Sequence, residues 1–202
     1  MESLNTEELD LLSRTDFLTT KANALAKVNQ LLSHSREELR KVIEKTEFNF
    51  PGNTNLLSGK ISIGENYRGL PYQVLDYPSL FDQEDIFAFR TLFWWGNFFS
   101  VTFQLSGKSC DYYRSSLIDK LPNLVQQEFY ICINESPWEH HHEADNYKLL
   151  EESDADILAN HPFIKLSKKL SIDQYAELPR FSTEFLRNII SWIKLAEKES
   201  FI

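Results

Sequence analysis

The apolar positions along the chain change period twice, and these changes divide it into three stretches. Between residues 6 and 47, Leu18, Ala22, Leu25, Val28, Leu32, Leu39 and Val42 fall at helical steps with charges between them, which predicts a long amphipathic helix. Leu25, Leu32 and Leu39 keep a seven-residue spacing, but three repeats suit a helix packed on its own domain better than a dimerising coiled coil. Ser35 followed by Glu38 has the form of a capping box, so a helix pair broken at Ser35 is the alternative.

Pro51-Gly-Asn-Thr-Asn55 ends the helical region, and the period shortens to two. Strands are expected at Leu57–Ile63, Leu70–Tyr77, Phe87–Trp95 and Phe98–Ser106, the last two joined by Gly96-Asn97 as a tight hairpin. The second hairpin arm alternates Phe99, Val101, Phe103 and Leu105 with Ser100, Thr102, Gln104 and Ser106. One of its faces therefore belongs to a core, and the other is wet or covered.

A helix of about fifteen residues should follow Gly107 and end near Pro122, and Glu128–Asn134 reads as an apolar strand. Residues 135–145 are polar, Phe163–Ile172 reads as a further strand, and a helix follows Pro179. In that closing helix Phe185, Ile189, Ile193 and Ala196 form an inner stripe, while Phe181, Leu186, Ile190, Trp192 and Leu195 widen it. Trp192 should lie at the stripe's edge, against solvent or a second subunit.

Short connections between neighbouring strands imply an α+β domain. We expect an antiparallel sheet of about five or six strands, with a long N-terminal helix or helix pair, a central helix and a C-terminal helix packed mainly on one face. The chain reads as a single domain over 1–202, with an N-terminal helical segment (1–50), a sheet-rich core with the central helix (56–134), and a closing part holding the polar loop, a strand and the last helix (135–202).

Composition narrows the partners. Twenty-one Lys and Arg against thirty Asp and Glu give a formal charge of −9, a sign that repels phosphate backbones and anionic lipid heads. Neither nucleic acid nor a membrane is expected as a partner. Lys165, Lys168 and Lys169 are interleaved with apolar residues and read as part of an amphipathic strand. Cys110 and Cys132 have no metal-type spacing and read as reduced thiols. An acidic, polar N-terminus in place of a basic and then apolar leader leads us to expect a cytoplasmic protein. Aromatic residues, at 13% of the chain, are numerous enough to fill a thick core or line a ligand pocket.

Three groups carry candidate chemistry. In Trp138-Glu139-His140-His141-His142-Glu143, imidazole and carboxylate together suit zinc or another divalent metal, with Glu139, His140, His142 and Glu143 as candidate ligands. If the run is extended, His140 and His142 point the same way, and His161 is a distant third candidate. A solvated loop collects the same residue types without any metal. Ser106-Gly-Lys-Ser109 resembles part of a phosphate loop but has Thr102 where a second glycine is required. What survives there is an anion site of helix N–H groups with Lys108 and Ser109, set against a plain glycine turn.

The third group is the aromatic hairpin tip. Trp94 and Trp95 must face opposite sides of a strand, so one of them meets a second layer, a partner or a ligand. Trp94, Trp95, Phe98, Trp138 and Trp192 are the candidate ligand or partner surface. No nucleophile elbow, zincin or dinucleotide motif is present, so no catalytic residue can be named. The leading expectation is a binding or assembly domain that associates with a second copy of itself. The alternatives are a metal-binding protein or metal-dependent enzyme using residues 139–143, and a binder of an apolar small molecule between sheet and helices.

Overall fold

The computed structural model describes residues 3–194. In chain order its elements are α1 (Thr6–Ser13), α2 (Thr15–Ile43), β1 (Lys60–Tyr67), β2 (Leu70–Phe81), β3 (Asp85–Trp94), β4 (Phe98–Ser106), α3 (Gly107–Asp119), α4 (Leu121–Gln126), β5 (Tyr130–Cys132), β6 (Tyr147–Leu149), α5 (Ala155–Asn160), β7 (Phe163–Leu170) and α6 (Leu178–Ile193). The seven strands form one antiparallel sheet in the order β1-β2-β3-β4-β7-β5-β6, so β1 and β6 are its edges. The class is α+β as expected, with slightly more strands. β6 and α5, three and six residues long, are too short to leave a period in the sequence. No helix among the described residues is long and apolar enough to cross a membrane.

The N-terminal helix does break, but at Arg14, whose backbone leaves the helical region (φ −90°, ψ 91°), and not at Ser35. Asn5 and Glu8 form a reciprocal cap that starts α1. Ser35 lies inside α2 and is satisfied by its own helix, its hydroxyl donating to the Leu31 carbonyl at 3.0 Å. Leu32 and Leu39 are buried in their own domain, so the seven-residue spacing marks packing on the sheet and α6.

The hairpin is central. Phe87 pairs with Leu105, Phe89 with Phe103 and Phe93 with Phe99, and these rings and side chains face α2, α3 and α6. Its turn is one residue longer than expected, because Trp94 pairs with Phe98 while Trp95 donates to Pro71. Gly96 there takes a positive φ of 72°, which a residue without a Cβ adopts freely. At the other end of β4, Gly107 (φ 59°) turns the chain into α3. A Cβ at that position would lie 1.7 Å from the Glu84 carbonyl oxygen, so the sharp strand-to-helix turn requires glycine.

The closing helix is buried as its composition foretold, with Phe185, Leu186, Ile189 and Ile193 covering the sheet. Leu195 and Ala196, expected to continue it, lie outside the described residues. Trp192 does not sit at an exposed edge. It is 8% exposed and packs on Phe129, with ring centroids 5.7 Å apart, because β5 and its preceding loop extend the core past the helix flank.

Ile189 is fully buried. Ile189→Asp would place an unpaired carboxylate in that core, a cost comparable to the whole stability of about 5–15 kcal/mol typical of a domain. The expected outcome is insoluble protein or a circular-dichroism spectrum without native helix. An unchanged melting temperature would show that α6 is peripheral.

Candidate functional site

The second face of the sheet carries Asp76 on β2, Arg90 on β3, Thr102 and Gln104 on β4, and Lys165 and Ser167 on β7. No helix among the described residues covers this face. Arg90 is paired bidentately with Asp76, at 2.7 and 3.1 Å. The remaining groups lie under residues 133–146, so the polar loop of the sequence is a cover packed on strands.

Backbone carbonyls of that loop receive the buried lysine. Lys165 donates to the carbonyls of Pro137 (2.8 Å) and Glu139 (2.5 Å), and its ammonium lies 5.5 Å from the centre of the Tyr147 ring. Burial draws its pKa down to about 7. The expectation of an amphipathic strand is corrected here: Lys165 and Lys169 share the covered face, Lys168 lies on the helix face over Phe129, and both faces of β7 are largely buried. Asn146 ties the far end of the loop, its amide donating to the His141 carbonyl and its oxygen accepting from the Cys132 thiol.

The three histidines diverge. His142 stacks on Tyr147, with centroids 4.2 Å apart and planes within 6°, and its Nε2 lies 3.0 Å from Ser167 Oγ. Ser167 is fully buried, donates to the Val101 carbonyl, and has Thr102 as its other neighbour. No carboxylate among the described residues reaches His142 Nδ1 to orient the ring. Among the described residues this Ser–His contact has no third, orienting carboxylate. His140 sits beside Tyr67, with centroids 5.2 Å apart. Burial, reinforced by the charges of Arg90 and Lys165, holds His140 at about 2, and burial with Lys169 nearby holds His142 at about 3. Both rings are neutral near pH 7.

His141 turns toward the β1–β2 connection. The Tyr67 oxygen accepts the backbone N–H groups of His140 (2.7 Å) and His141 (3.0 Å), and the ring nitrogen His141 Nδ1 lies 2.8 Å from it. Tyr67 can donate its proton to Glu139 Oε2 at 2.9 Å, and burial raises its pKa. His141 Nε2 meets Asp145 Oδ1 at 3.2 Å and Arg68 Nη2 at 3.1 Å, while Arg68 Nη1 is paired with Glu143. His141, Glu143 and Asp145 each place a ligand atom within 4.8 Å of the others, so this group could hold a metal ion. Of the four ligands expected from sequence, only Glu143 belongs to it. His140 and His142 are committed inward, Glu139 to Tyr67, and His161 to the Phe163 carbonyl. The alternation that points His140 and His142 the same way directs His141 to the opposite side, where it is buried against Tyr67 and Arg68, and that reading of the strand period would have found it.

The expected anion site is taken by the chain itself. Ser109 N–H donates to Asp85 Oδ1 at 2.7 Å, so a carboxylate from β3 already caps α3, and Lys108 lies 3.7 Å from Glu84 in solvent.

The aromatic candidates separate in the same way. Trp94 is buried on the second face with Val74 and Leu92, and its indole donates to the Tyr67 carbonyl; Phe98 packs edge-on to His142. Neither forms a free surface. Trp138 is 51% exposed and leans on Phe81. Trp95, on the helix face, joins Phe93, Phe99 and Gly96 to wall a cleft of about 630 Å³. Ala24, Lys27, Val28 and Leu31 of α2 form the opposite wall, with Ile172 and Tyr175 at one end.

Comparison of the chain with protein-family models, curated proteins and solved structures returned no match.

The titrations of His140 and His142 set a pH dependence. The unfolded chain binds protons at both positions near pH 6.5 and the folded chain only near 2 to 3, so stability should fall as the pH drops below 6.5. Two such groups should remove roughly 2–4 kcal/mol between pH 6.5 and pH 5. For Lys165 the folded value lies below the unfolded one of 10.5, so stability should continue to rise above pH 7. Urea unfolding across this range checks both, and a His140→Gln/His142→Gln variant should show a distinctly shallower acid slope.

Proposed function

We propose that the chain is a non-catalytic binding domain whose working site is the apolar cleft between α2 and the hairpin tip. The observation that carries this reading is the wall itself: at about 630 Å³ the cleft has the size of small-molecule pockets, and only Lys27 among its side chains carries a charge. The residues that could support chemistry lie elsewhere, under the 133–146 loop, each engaged with another part of the fold. A titration of dilute protein with 1-anilinonaphthalene-8-sulfonate, followed by tryptophan quenching, tests the cleft. Ala24→Trp should fill it and weaken binding at least about tenfold, or 1.4 kcal/mol. Equal binding by both proteins would remove the reading.

A second reading rests on His141, Glu143 and Asp145. Glu143 and Asp145 share the single guanidinium of Arg68, and Glu139 lies 3.4 Å from His141 Nδ1, so three carboxylates surround the imidazole and the excess of negative charge favours a divalent cation with mixed nitrogen and oxygen ligands. Arg68 would have to move aside, so binding should be weak. Metal content after tag-free purification should fall to background in His141→Ala and stay unchanged in His140→Ala/His142→Ala. Equal metal in wild type and His141→Ala would exclude the site.

A further inference from the structure

We propose that the occupant of the apolar cleft is helix α1 of a second copy of this chain, with the two copies exchanging their N-terminal arms about a twofold axis. This rests on the cleft being a binding site, as proposed above, and adds the identity of what fills it.

Four observations lead to this occupant. First, α1 has no buried residue, although its apolar side chains are large: Leu9 is 54% exposed and Leu12, one turn further along the same face, 72%. A helix of eight residues is marginal in water by itself and gains its stability from the surface it packs on. Its own domain offers α1 none.

Second, helix α1 does not reach the cleft of its own chain. One residue, Arg14, separates α1 from α2, whereas two antiparallel helices need a loop of about two to five residues. Even laid back along α2, the arm would span only about 12 Å, and the cleft begins at Ala24, about 13.5 Å beyond Thr15. The cleft of the single chain is therefore not covered by its own α1 and is open to the arm of another molecule.

Third, the charges agree. The arm carries Glu7, Glu8 and Asp10 and no base, while Lys27 on the cleft wall is exposed and forms no ion pair among the described residues. Fourth, Phe17 and Leu18 at the start of α2 are also exposed, so an apolar surface runs from the arm onto α2, which itself walls the cleft. A twofold axis lets each copy present arm and cleft at once. The same contact is then made twice and the interface closes at two subunits.

The test is light scattering coupled to size-exclusion chromatography of the full chain, from dilute to tens of micromolar. The wild type should pass from monomer to dimer. Leu9→Asp/Leu12→Asp should weaken the dimer at least about tenfold, with an unchanged melting temperature at dilutions where the wild type is monomeric, because both side chains are solvent-facing in the single chain. Ala24→Trp, which alters the cleft and leaves the arm intact, should do the same. 1-Anilinonaphthalene-8-sulfonate should bind the arm variant well at concentrations where it binds the wild-type dimer poorly. A wild type that stays monomeric yet binds the dye in the cleft overturns arm exchange and leaves the cleft reading standing. A monomer that binds no dye overturns both. A dimer indifferent to both variants also overturns the proposal, as does an apolar small molecule retained in the cleft in native mass spectra.

Discussion

The position of the 133–146 loop follows from one requirement: the amino group of Lys165 is inside the protein and must be hydrogen-bonded there. Leaving such a group unpaired away from water is among the costliest errors a fold can make. No carboxylate among the described residues pairs with it. The carbonyls of Pro137 and Glu139 do, and they can do so only if the loop lies flat across β7 and β4. Once the loop is laid there, alternation along it sends His140 and His142 toward the sheet and His141 toward Tyr67 and Arg68. The Tyr67 oxygen then accepts the two backbone N–H groups that the loop leaves open. Arg90, held by Asp76 on the same face, adds its positive charge to burial in keeping His140 uncharged beside it.

How far the sequence showed this depends on which signal each element carried. The helical stripe of α2 and the alternation of β4 were plain because one side of each differs in polarity from the other. β7 hid its nature, since lysines at 165, 168 and 169 imply solvent to any reading by polarity, yet two of them extend over aromatic rings and the third is enclosed. The loop was misjudged for a related reason: a segment that covers polar side chains has the same composition as one that faces water. Asp85, which caps α3, was invisible because its partner is twenty-four residues away. Trp192 was placed at an edge by helix geometry alone, and the ring of Phe129 that encloses it comes from another element. At Ser35 a serine three residues before a glutamate fits a cap in sequence, but the continuous apolar face beneath it outweighs that local preference.

The two faces of the sheet divide the labour of the aromatic residues at the hairpin tip. Successive residues at the hairpin tip feed opposite layers, with Trp94 and Phe98 closing the polar side under the histidines while Phe93, Trp95 and Phe99 wall the cleft on the helix side. A change at the tip therefore bears on both layers together. This coupling needs no motion: it follows from the two-residue period of a strand that is buried on both faces.

The edges of the sheet carry a further consequence. β6 is only three residues long and has Lys148 at its centre, and β1 loses register between Gly64 and Tyr67, with Glu65 in the irregular stretch. A neighbouring chain seeking to add its own strand would find, on one side, too few open peptide groups and, on the other, an interrupted row. Growth by edge-to-edge stacking into fibres is blocked at both ends, although the interior strands are rich in the aromatic and branched residues from which such fibres are built. The hazard of this aromatic sheet is contained by the geometry of its two weakest strands.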